Sequence, residues 1–195
     1  MIYNHFILSA LWLLYCFVHS FLANDDIKRK FKKQFNFNDN LYRIFYNLFA
    51  LISLSALFFY HFSLTSILLF VKQPVTIGFA VLFIAAGVII MLICIKKYFL
   101  QLSGFFKNKN EFPVLETLGM HRYTRHPLYL GTFIFLIGLV LFAPLLSNLI
   151  AVIIIIVYTI IGIQFEEKKL IALFGDDYRR YKKEVPKLIP FIKKI

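Results

Sequence analysis

The sequence contains few cysteines and lacks the glycine-rich loops that hold nucleotides in many soluble enzymes. Its two cysteines, Cys16 and Cys94, both lie in apolar stretches, which excludes a disulfide framework and a zinc-binding cysteine pattern. No glycine-rich phosphate or dinucleotide motif is present, so a Rossmann-type cofactor site is excluded as well. His121 and His126 are five residues apart, and no cysteine or carboxylate completes a ligand set with them. We therefore expect no metal site.

Acidic residues are also scarce. The chain has 10 Asp and Glu against 22 Lys and Arg, a formal net charge of +12. Such an excess can indicate nucleic-acid binding, but the cations lie in the connections between apolar segments and no nucleic-acid-binding motif is present. Orientation in a membrane and attraction to anionic lipid headgroups explain the charge better. We expect no nucleic-acid partner.

What the sequence has in abundance is apolar residues. Of its 195 residues 60% are hydrophobic, 24 are Phe, and the mean hydropathy is +0.74. This share is far above that of soluble domains, so lipid must solvate part of the apolar surface. We predict an integral membrane protein of the all-α class, because helices satisfy their own backbone hydrogen bonds in lipid. The length indicates a single membrane domain over residues 1–195.

Five apolar segments are predicted to cross the bilayer as helices. They cover about residues 2–23, 41–62, 75–95, 127–142 and 145–165, and the last two form a helical hairpin. No Lys or Arg precedes Lys28, so we interpret the first segment as a retained span rather than a signal peptide. The fourth has only 16 residues and reaches about 24 Å, against about 30 Å for the hydrocarbon core. Either the membrane thins there or the helix starts below the interface.

The cations predict how the chain is oriented. Six follow the first span, six precede the fourth, nine lie in the C-terminal tail, and only Lys72 falls on the other side. The positive-inside rule makes the cation-rich side cytoplasmic. We therefore expect a bacterial inner-membrane protein with its N-terminus outside, its C-terminus in the cytoplasm and an odd number of spans.

Polar residues then gather at the start of the hairpin. Arg125 and His126 precede Pro127, a residue that suits the first helical position, and Tyr129 and Gly131 follow. The free amides and positive dipole end of a helix N-terminus attract a carboxylate. This is a candidate site, although the two cations also fit the alternative of an interfacial flank that obeys the positive-inside rule.

A second polar group follows the fifth span. Glu166 and Glu167 are well placed to accept hydrogen bonds from a cationic or hydroxylated ligand, or are solvated carboxylates, with Glu166 pairing with Lys169. Beyond Gly175, an amphipathic tail helix is predicted over residues 177–184, with Tyr178 and Tyr181 on it. His19, before Ser20, is a weaker signal and reads as a satisfied interfacial histidine.

These two regions resemble the two halves of the signature of the membrane methyltransferases. This superfamily includes isoprenylcysteine carboxyl methyltransferase and phospholipid N-methyltransferases. The first half runs from Leu115 to Gly131 and the second from Glu166 to Pro190, within about residues 112–191. His19-Ser20 and Tyr42-Arg43 are similar to the NnrU branch and to bacterial methanethiol S-methyltransferases. Gly119-Met120-His121 lacks the second glycine of phospholipid N-methyltransferases, which argues against a phospholipid amine acceptor.

The resemblance implies S-adenosylmethionine as cofactor, held between the hairpin and the tail by about residues 112–191. It implies that Arg125 and His126 are catalytic residues facing a carboxylate of the cofactor or acceptor. The implied cofactor-binding residues are Tyr129, Gly131, Glu166, Glu167, Tyr178 and Tyr181.

The implied acceptor is small or lipophilic, with a thiol or an isoprenylcysteine-like carboxylate preferred. Two alternatives remain open. One is a membrane NADPH-dependent reductase of sterol-reductase-like architecture, and the other is a non-catalytic transport or assembly protein.

Overall fold

The computed structural model of the chain describes residues 2–103 and 114–190, with side chains up to residue 96 and from residue 114. These parts are helical: α1 Ile2–Ala23, α2 Asp25–Phe35, α3 Asp39–Ser63, α4 Pro74–Ser103, α5 Pro127–Phe142, α6 Leu146–Phe174 and α7 Asp176–Glu184. A short 3-10 helix, Gly119–Arg122, precedes α5. The predicted all-α class is confirmed. Five of the cations counted above lie wholly or with their side chains outside the described parts: Lys97 (side chain), Lys107, Lys109, Lys193 and Lys194. The last residue of the apolar segment 188–191, Phe191, lies outside them as well.

Four of these helices are long and apolar enough to cross a membrane. They are α1, α3, the part of α4 up to Lys96, and α6, whereas α5 is apolar but shorter. The class of integral membrane protein follows from them, and the count of five spans stays a prediction because it depends on α5. The helix α6 continues to Phe174, so that Glu166 and Glu167 lie on it.

The helix α2 was not predicted, since the sequence around it reads as a basic connection. Its first turn is capped by the Asn24 side chain, whose oxygen accepts hydrogen bonds from the amides of Asp26 and Ile27 at 2.8 and 3.3 Å. Asn36, in the left-handed region with a φ of 53°, ends it. Phe31 stacks on Phe45 of α3 with ring centroids 5.3 Å apart, so an aromatic contact holds α2 against α3.

The chain divides into two compact units, and the first comprises Met1–Phe70 and Leu145–Ile155. Its core consists of Leu8, Trp12, Leu57 and Ala151. A polar chain crosses it, because Trp12 Nε1 donates to His61 Nδ1 at 3.4 Å and His61 Nε2 lies 2.8 Å from Asn148 Oδ1. Since Nδ1 accepts, Nε2 carries the proton and donates to the amide oxygen.

The second unit comprises Val71–Pro144 and Ile156–Ile195. Within it α4 and α5 pack closely because glycines face each other. A Cβ atom added at Gly131 would lie 2.8 Å from Ile90 Cγ2, and one added at Gly87 would lie 2.7 Å from the Gly131 carbonyl oxygen. The glycine of the hairpin motif thus allows α5 to approach α4, and this packing places the start of α5 beside the second half of α4.

Candidate functional site

A cavity of about 390 Å³ lies at the N-terminal end of α5, within the second unit. Its lining residues are Cys94, Ile95, Glu116, His121, Arg125, His126, Pro127, Leu128, Tyr129 and Glu166. Four of the predicted site residues are among them: Arg125, His126, Tyr129 and Glu166. The structure thus brings together the two polar groups that the sequence separates by about 40 residues.

The base of the hairpin is built from buried polar residues. Pro127 occupies the first helical position of α5 and His126 the cap. The Thr124 hydroxyl donates to the Lys187 carbonyl at 3.0 Å, and the Arg125 amide donates to the Pro186 carbonyl at 3.0 Å. These bonds tie the segment before α5 to the segment after α7.

Arg125 makes a buried ion pair with Glu167 of α6. Its Nε and Nη2 donate to the same carboxylate oxygen, Oε1, at 3.0 and 2.7 Å, and the two side chains are only 6% and 4% exposed. Its Nη1 donates to the carbonyls of Lys182 and Val185 at 2.8 and 2.6 Å. Arg125 is therefore not a solvated cation at the membrane interface, because protein groups accept hydrogen bonds from most of its N–H donors.

The second oxygen of Glu167 is also occupied. Lys182 Nζ lies 3.0 Å from Glu167 Oε2. A buried charge is costly unless it is paired and hydrogen-bonded, and here Arg125 and Lys182 supply those partners from two different segments. Glu167 is consequently held in place by the protein itself.

Its neighbour Glu166 is in a different state. The side chain is 44% exposed, but its Oε2 atom is buried and accepts no hydrogen bond from any described residue. His126 Nδ1 lies 3.8 Å from that oxygen, beyond hydrogen-bond distance. The Tyr129 side chain interacts with the same carboxylate. Buried acceptors without a donor are rare and call for an explanation such as a ligand.

His126 is buried and lies between the two glutamates. Its Nε2 is 3.4 Å from Glu167 Oε1, and its ring stacks on Tyr129 with centroids 5.7 Å apart. Burial lowers the pKa of His126 to about 4, and the opposing effect of the Glu167 carboxylate does not compensate. The imidazole is therefore neutral near pH 7. The Glu167 oxygen at Nε2 is nearer, at 3.4 Å, than the Glu166 oxygen at Nδ1, at 3.8 Å. We therefore assign the proton to Nε2, which leaves Nδ1 an acceptor beside Glu166 Oε2.

Tyr178 and Tyr181 of α7 are not among the residues that line the cavity. Tyr181 donates to the His121 carbonyl at 2.7 Å, which links α7 to the 3-10 helix. Tyr178 is 1% exposed, and burial raises its pKa to about 12. Its hydroxyl lies near the Arg125 guanidinium but forms no hydrogen bond of good geometry with a described residue. Gly131 contacts α4, as given above. The ligand-binding roles of these three residues stay predictions.

Six lining residues were not predicted as site residues, and three of these, Glu116, His121 and Cys94, have polar or ionisable side chains. Glu116 and His121 lie inside the first signature segment, and their proximity to the motif is the one signal in the sequence that points to them. Nothing in the sequence around Cys94 indicates a binding site, because only the packing of α4 on α5 brings this residue to the cavity. Metal binding is not indicated in the described parts of the chain, where no group of three or more His, Cys, Asp or Glu side chains is arranged to hold an ion.

His19 lies in the first unit, where it has one hydrogen-bonding partner among the described residues, Tyr46. Its Nε2 is 2.9 Å from the Tyr46 hydroxyl, and its ring stacks on Tyr15. Both rings border an apolar cavity of about 400 Å³ lined by α1 and α3.

Comparison with known proteins agrees with the resemblance seen in the sequence. Methanethiol S-methyltransferase of Crocosphaera subtropica is 35% identical over 97 residues, covering 48% of this chain and 36% of the relative. Methanethiol S-methyltransferase 1 of Bradyrhizobium diazoefficiens is 32% identical over 163 residues, covering 75% and 53%. Protein-S-isoprenylcysteine O-methyltransferase of Schizosaccharomyces pombe is 36% identical over 85 residues, covering 43% and 36%. The chain thus spans between about a third and about half of the length of these relatives.

The fold, the relatives and the two signature segments define a member of the membrane methyltransferase superfamily. Residues 5–185 match the family described as "Protein of unknown function (DUF1295)", and the chain belongs to that family. No solved structure matches the chain significantly.

Proposed function

We propose that the chain is an S-adenosylmethionine-dependent methyltransferase of the membrane, acting on a small or lipophilic acceptor. A thiol or an isoprenylcysteine-like carboxylate is preferred, because the relatives are named for methyl transfer to methanethiol and to isoprenylcysteine. The observation that carries the proposal is the pair of acceptors at the cavity, Glu166 Oε2 and His126 Nδ1, 3.8 Å apart.

These two acceptors fit the donor groups of the cofactor. Adenosylmethionine has an ammonium group and two ribose hydroxyls, all of which donate hydrogen bonds. Glu166 Oε2 has no donor among the described residues, and His126 is neutral. Both can therefore accept a hydrogen bond from the ammonium group or a ribose hydroxyl. The Tyr129 side chain, next to the same carboxylate, would hold Glu166 in this position.

The remaining residues of the cavity provide its environment. Pro127, Leu128 and Ile95 supply apolar surface beside the polar groups, and this surface would shield a bound acceptor from water. When bound, the cofactor supplies an electrophilic methyl group on a sulfonium. Transfer of this methyl group to a thiolate or carboxylate would release adenosylhomocysteine and reduce charge, which a largely apolar cavity would favour. Holding both partners in line accounts for much of the expected rate gain.

Arg125 and Glu167 have a different role in this proposal. Arg125 lines the cavity, but Glu167, Lys182 and Val185 take up most of its donors. We assign Arg125 and Glu167 to positioning: they hold the tail segment at the base of the hairpin and keep His126 in place. The contacts that the resemblance implies, of Arg125 and His126 with a carboxylate and of Glu167 with the cofactor, stay predictions.

The proposed setting is a bacterial inner membrane with the cavity on the cytoplasmic side. Of the 22 Lys and Arg residues all but Lys72 fall on that side if the chain has five spans. The cofactor would enter from the cytoplasm and a lipophilic acceptor from the bilayer. Reporter fusions after Lys72 and after Glu184 should give opposite topology signals, and equal signals would contradict the orientation.

The direct test uses the purified full chain in detergent. Adenosylmethionine binding is measured by calorimetry, and release of adenosylhomocysteine is followed with a small thiol, a prenylcysteine and an amine lipid. We expect binding, and turnover with the thiol or the prenylcysteine. Folded protein that binds no adenosylmethionine at millimolar concentration would overturn the proposal, and binding of NADPH in its place would support the reductase alternative.

A further inference from the structure

A second and larger cavity lies in the same unit, between α7, the segment that follows it and the end of α6. We call it the tail groove; it has a volume of about 1050 Å³ and is lined among others by Ile171, Arg179, Lys183, Val185, Lys187 and Ile189. It is distinct from the cavity at the start of α5, with which it shares only Arg125. The proposed methyl transfer gives the rest of this groove no role.

The tail groove carries an excess of positive charge. Six cationic side chains line it, against the single carboxylate of Asp176. Four of the six are paired: Arg125 and Lys182 with Glu167, Arg179 with Asp176, and Arg180 with Asp177. Lys183 and Lys187 form no ion pair with any described residue. Two cations in one groove are thus available to an anionic ligand.

Apolar side chains line the groove as well. Ile171, Val185, Leu188 and Ile189 line it, and Ile189 is 57% exposed. Ile171 lies near the end of α6, a helix long and apolar enough to span a membrane. Ile171 follows the charged run at residues 166–169, so the groove lies beyond the apolar part of this candidate span. An inorganic anion would use the lysines and leave the apolar side chains exposed to water, whereas a phospholipid would cover both.

The groove is also held open by the base of the hairpin. The Arg125 guanidinium donates to the Val185 carbonyl at 2.6 Å, and its amide donates to the Pro186 carbonyl at 3.0 Å. Thr124 donates to the Lys187 carbonyl at 3.0 Å. Because these bonds fix the backbone that carries Lys187, a ligand need not order this segment when it binds.

We propose that the tail groove binds an anionic phospholipid, with its phosphate on Lys183 and Lys187 and an acyl chain along Ile171 and Ile189. Basic residues near a membrane surface attract anionic lipid, and the attraction weakens with salt. This site is independent of the methyl-transfer proposal, since the four residues assigned to the lipid lie outside the cofactor cavity.

The test measures thermal unfolding of the full chain in a neutral detergent. Dioctanoyl-phosphatidylglycerol, dioctanoyl-phosphatidylcholine and inorganic phosphate are titrated separately. We expect a saturable rise of several degrees in the unfolding midpoint with phosphatidylglycerol and little change with the other two. The rise should shrink as salt is added.

Two double variants make the test specific. Lys183→Gln with Lys187→Gln should lose most of the rise, while Lys30→Gln with Lys33→Gln, on the exposed side of α2, should keep it. The same rise in the first pair as in the unaltered chain would overturn the proposal. So would an equal rise with phosphatidylcholine, which would indicate binding of any lipid, or with inorganic phosphate, which would indicate a plain anion site. The Ile189→Ser variant should weaken phosphatidylglycerol binding without affecting folding, since Ile189 is exposed.

Discussion

Arg125 and Glu167 are 42 residues apart in sequence and form a buried ion pair in which Nε and Nη2 of the guanidinium share one carboxylate oxygen. The same guanidinium donates to two carbonyls after the start of α7, at Lys182 and Val185. One side chain thus connects the start of α5, the end of α6 and the tail. The first prediction concerns this connection.

Replacing Arg125 by Ala should destabilise the protein by about 3–5 kcal/mol, because Glu167 would stay buried without its main partner. Arg125→Lys should recover only part of this, since an ammonium cannot reproduce the forked contacts. The measurement is unfolding in detergent by heat or by a denaturing detergent. The matched control is Arg179→Ala, which removes an exposed ion pair with Asp176 and should cost less than about 1 kcal/mol. Equal losses in both variants would contradict the structural role of the buried pair.

The two adjacent glutamates should behave differently. Glu166→Gln should weaken adenosylmethionine binding roughly tenfold to a hundredfold, because a charge-assisted hydrogen bond contributes about 1.5–3 kcal/mol. It should leave stability nearly unchanged, since Glu166 Oε2 has no donor among the described residues and the amide oxygen of Gln can still accept from Tyr129. Glu167→Gln should lower the unfolding midpoint, because it leaves Arg125 and Lys182 without their carboxylate. Calorimetric binding and thermal unfolding of both variants decide the matter, and identical behaviour would contradict the assignment.

The stability of the protein should fall as the pH is lowered from about 6.5 toward 4. The pKa of His126 is about 4 in the folded protein, against about 6.5 in an unfolded chain. In this interval the unfolded state binds more protons, so stability rises with pH and is lost as the pH falls. The loss from this group is at most about 3 kcal/mol. Thermal midpoints between pH 7.5 and 4.5 measure it, and His126→Gln should flatten the profile. An unchanged profile in that variant would show that other groups are responsible.

Glycine substitutions should separate close helix packing from helix propensity. Gly87→Ala should be strongly destabilising, because the added Cβ would lie 2.6–2.7 Å from backbone and Cβ atoms of α5. Gly78→Ala and Gly162→Ala meet no atom within 4 Å and should be neutral or slightly stabilising, since alanine favours a helix by about 1 kcal/mol over glycine. Thermal unfolding of the three variants is the test. Similar midpoints would mean that α4 and α5 are not closely packed.

The sequence predicted much of the fold because lipid imposes a simple length rule. The predicted bounds of the first and fourth segments coincide with α1 and α5, whose ends are marked by polar residues and by Pro127. The helix α2 was missed because a short basic segment can be helical or irregular, and Asn24 becomes a cap only when Asp26 and Ile27 turn toward it.

By itself the sequence determined that this chain is a helical membrane protein, that its cations are unevenly distributed, and that two polar motifs belong to the methyltransferase superfamily. These properties depend on composition, on the length of apolar runs and on local motif order. The tertiary structure alone decided that Glu167 is paired with Arg125 while Glu166 Oε2 is left without a donor. Two identical neighbours cannot be told apart in a sequence, but successive helical residues point about 100° apart. One therefore faces the buried base of the hairpin and the other the cavity.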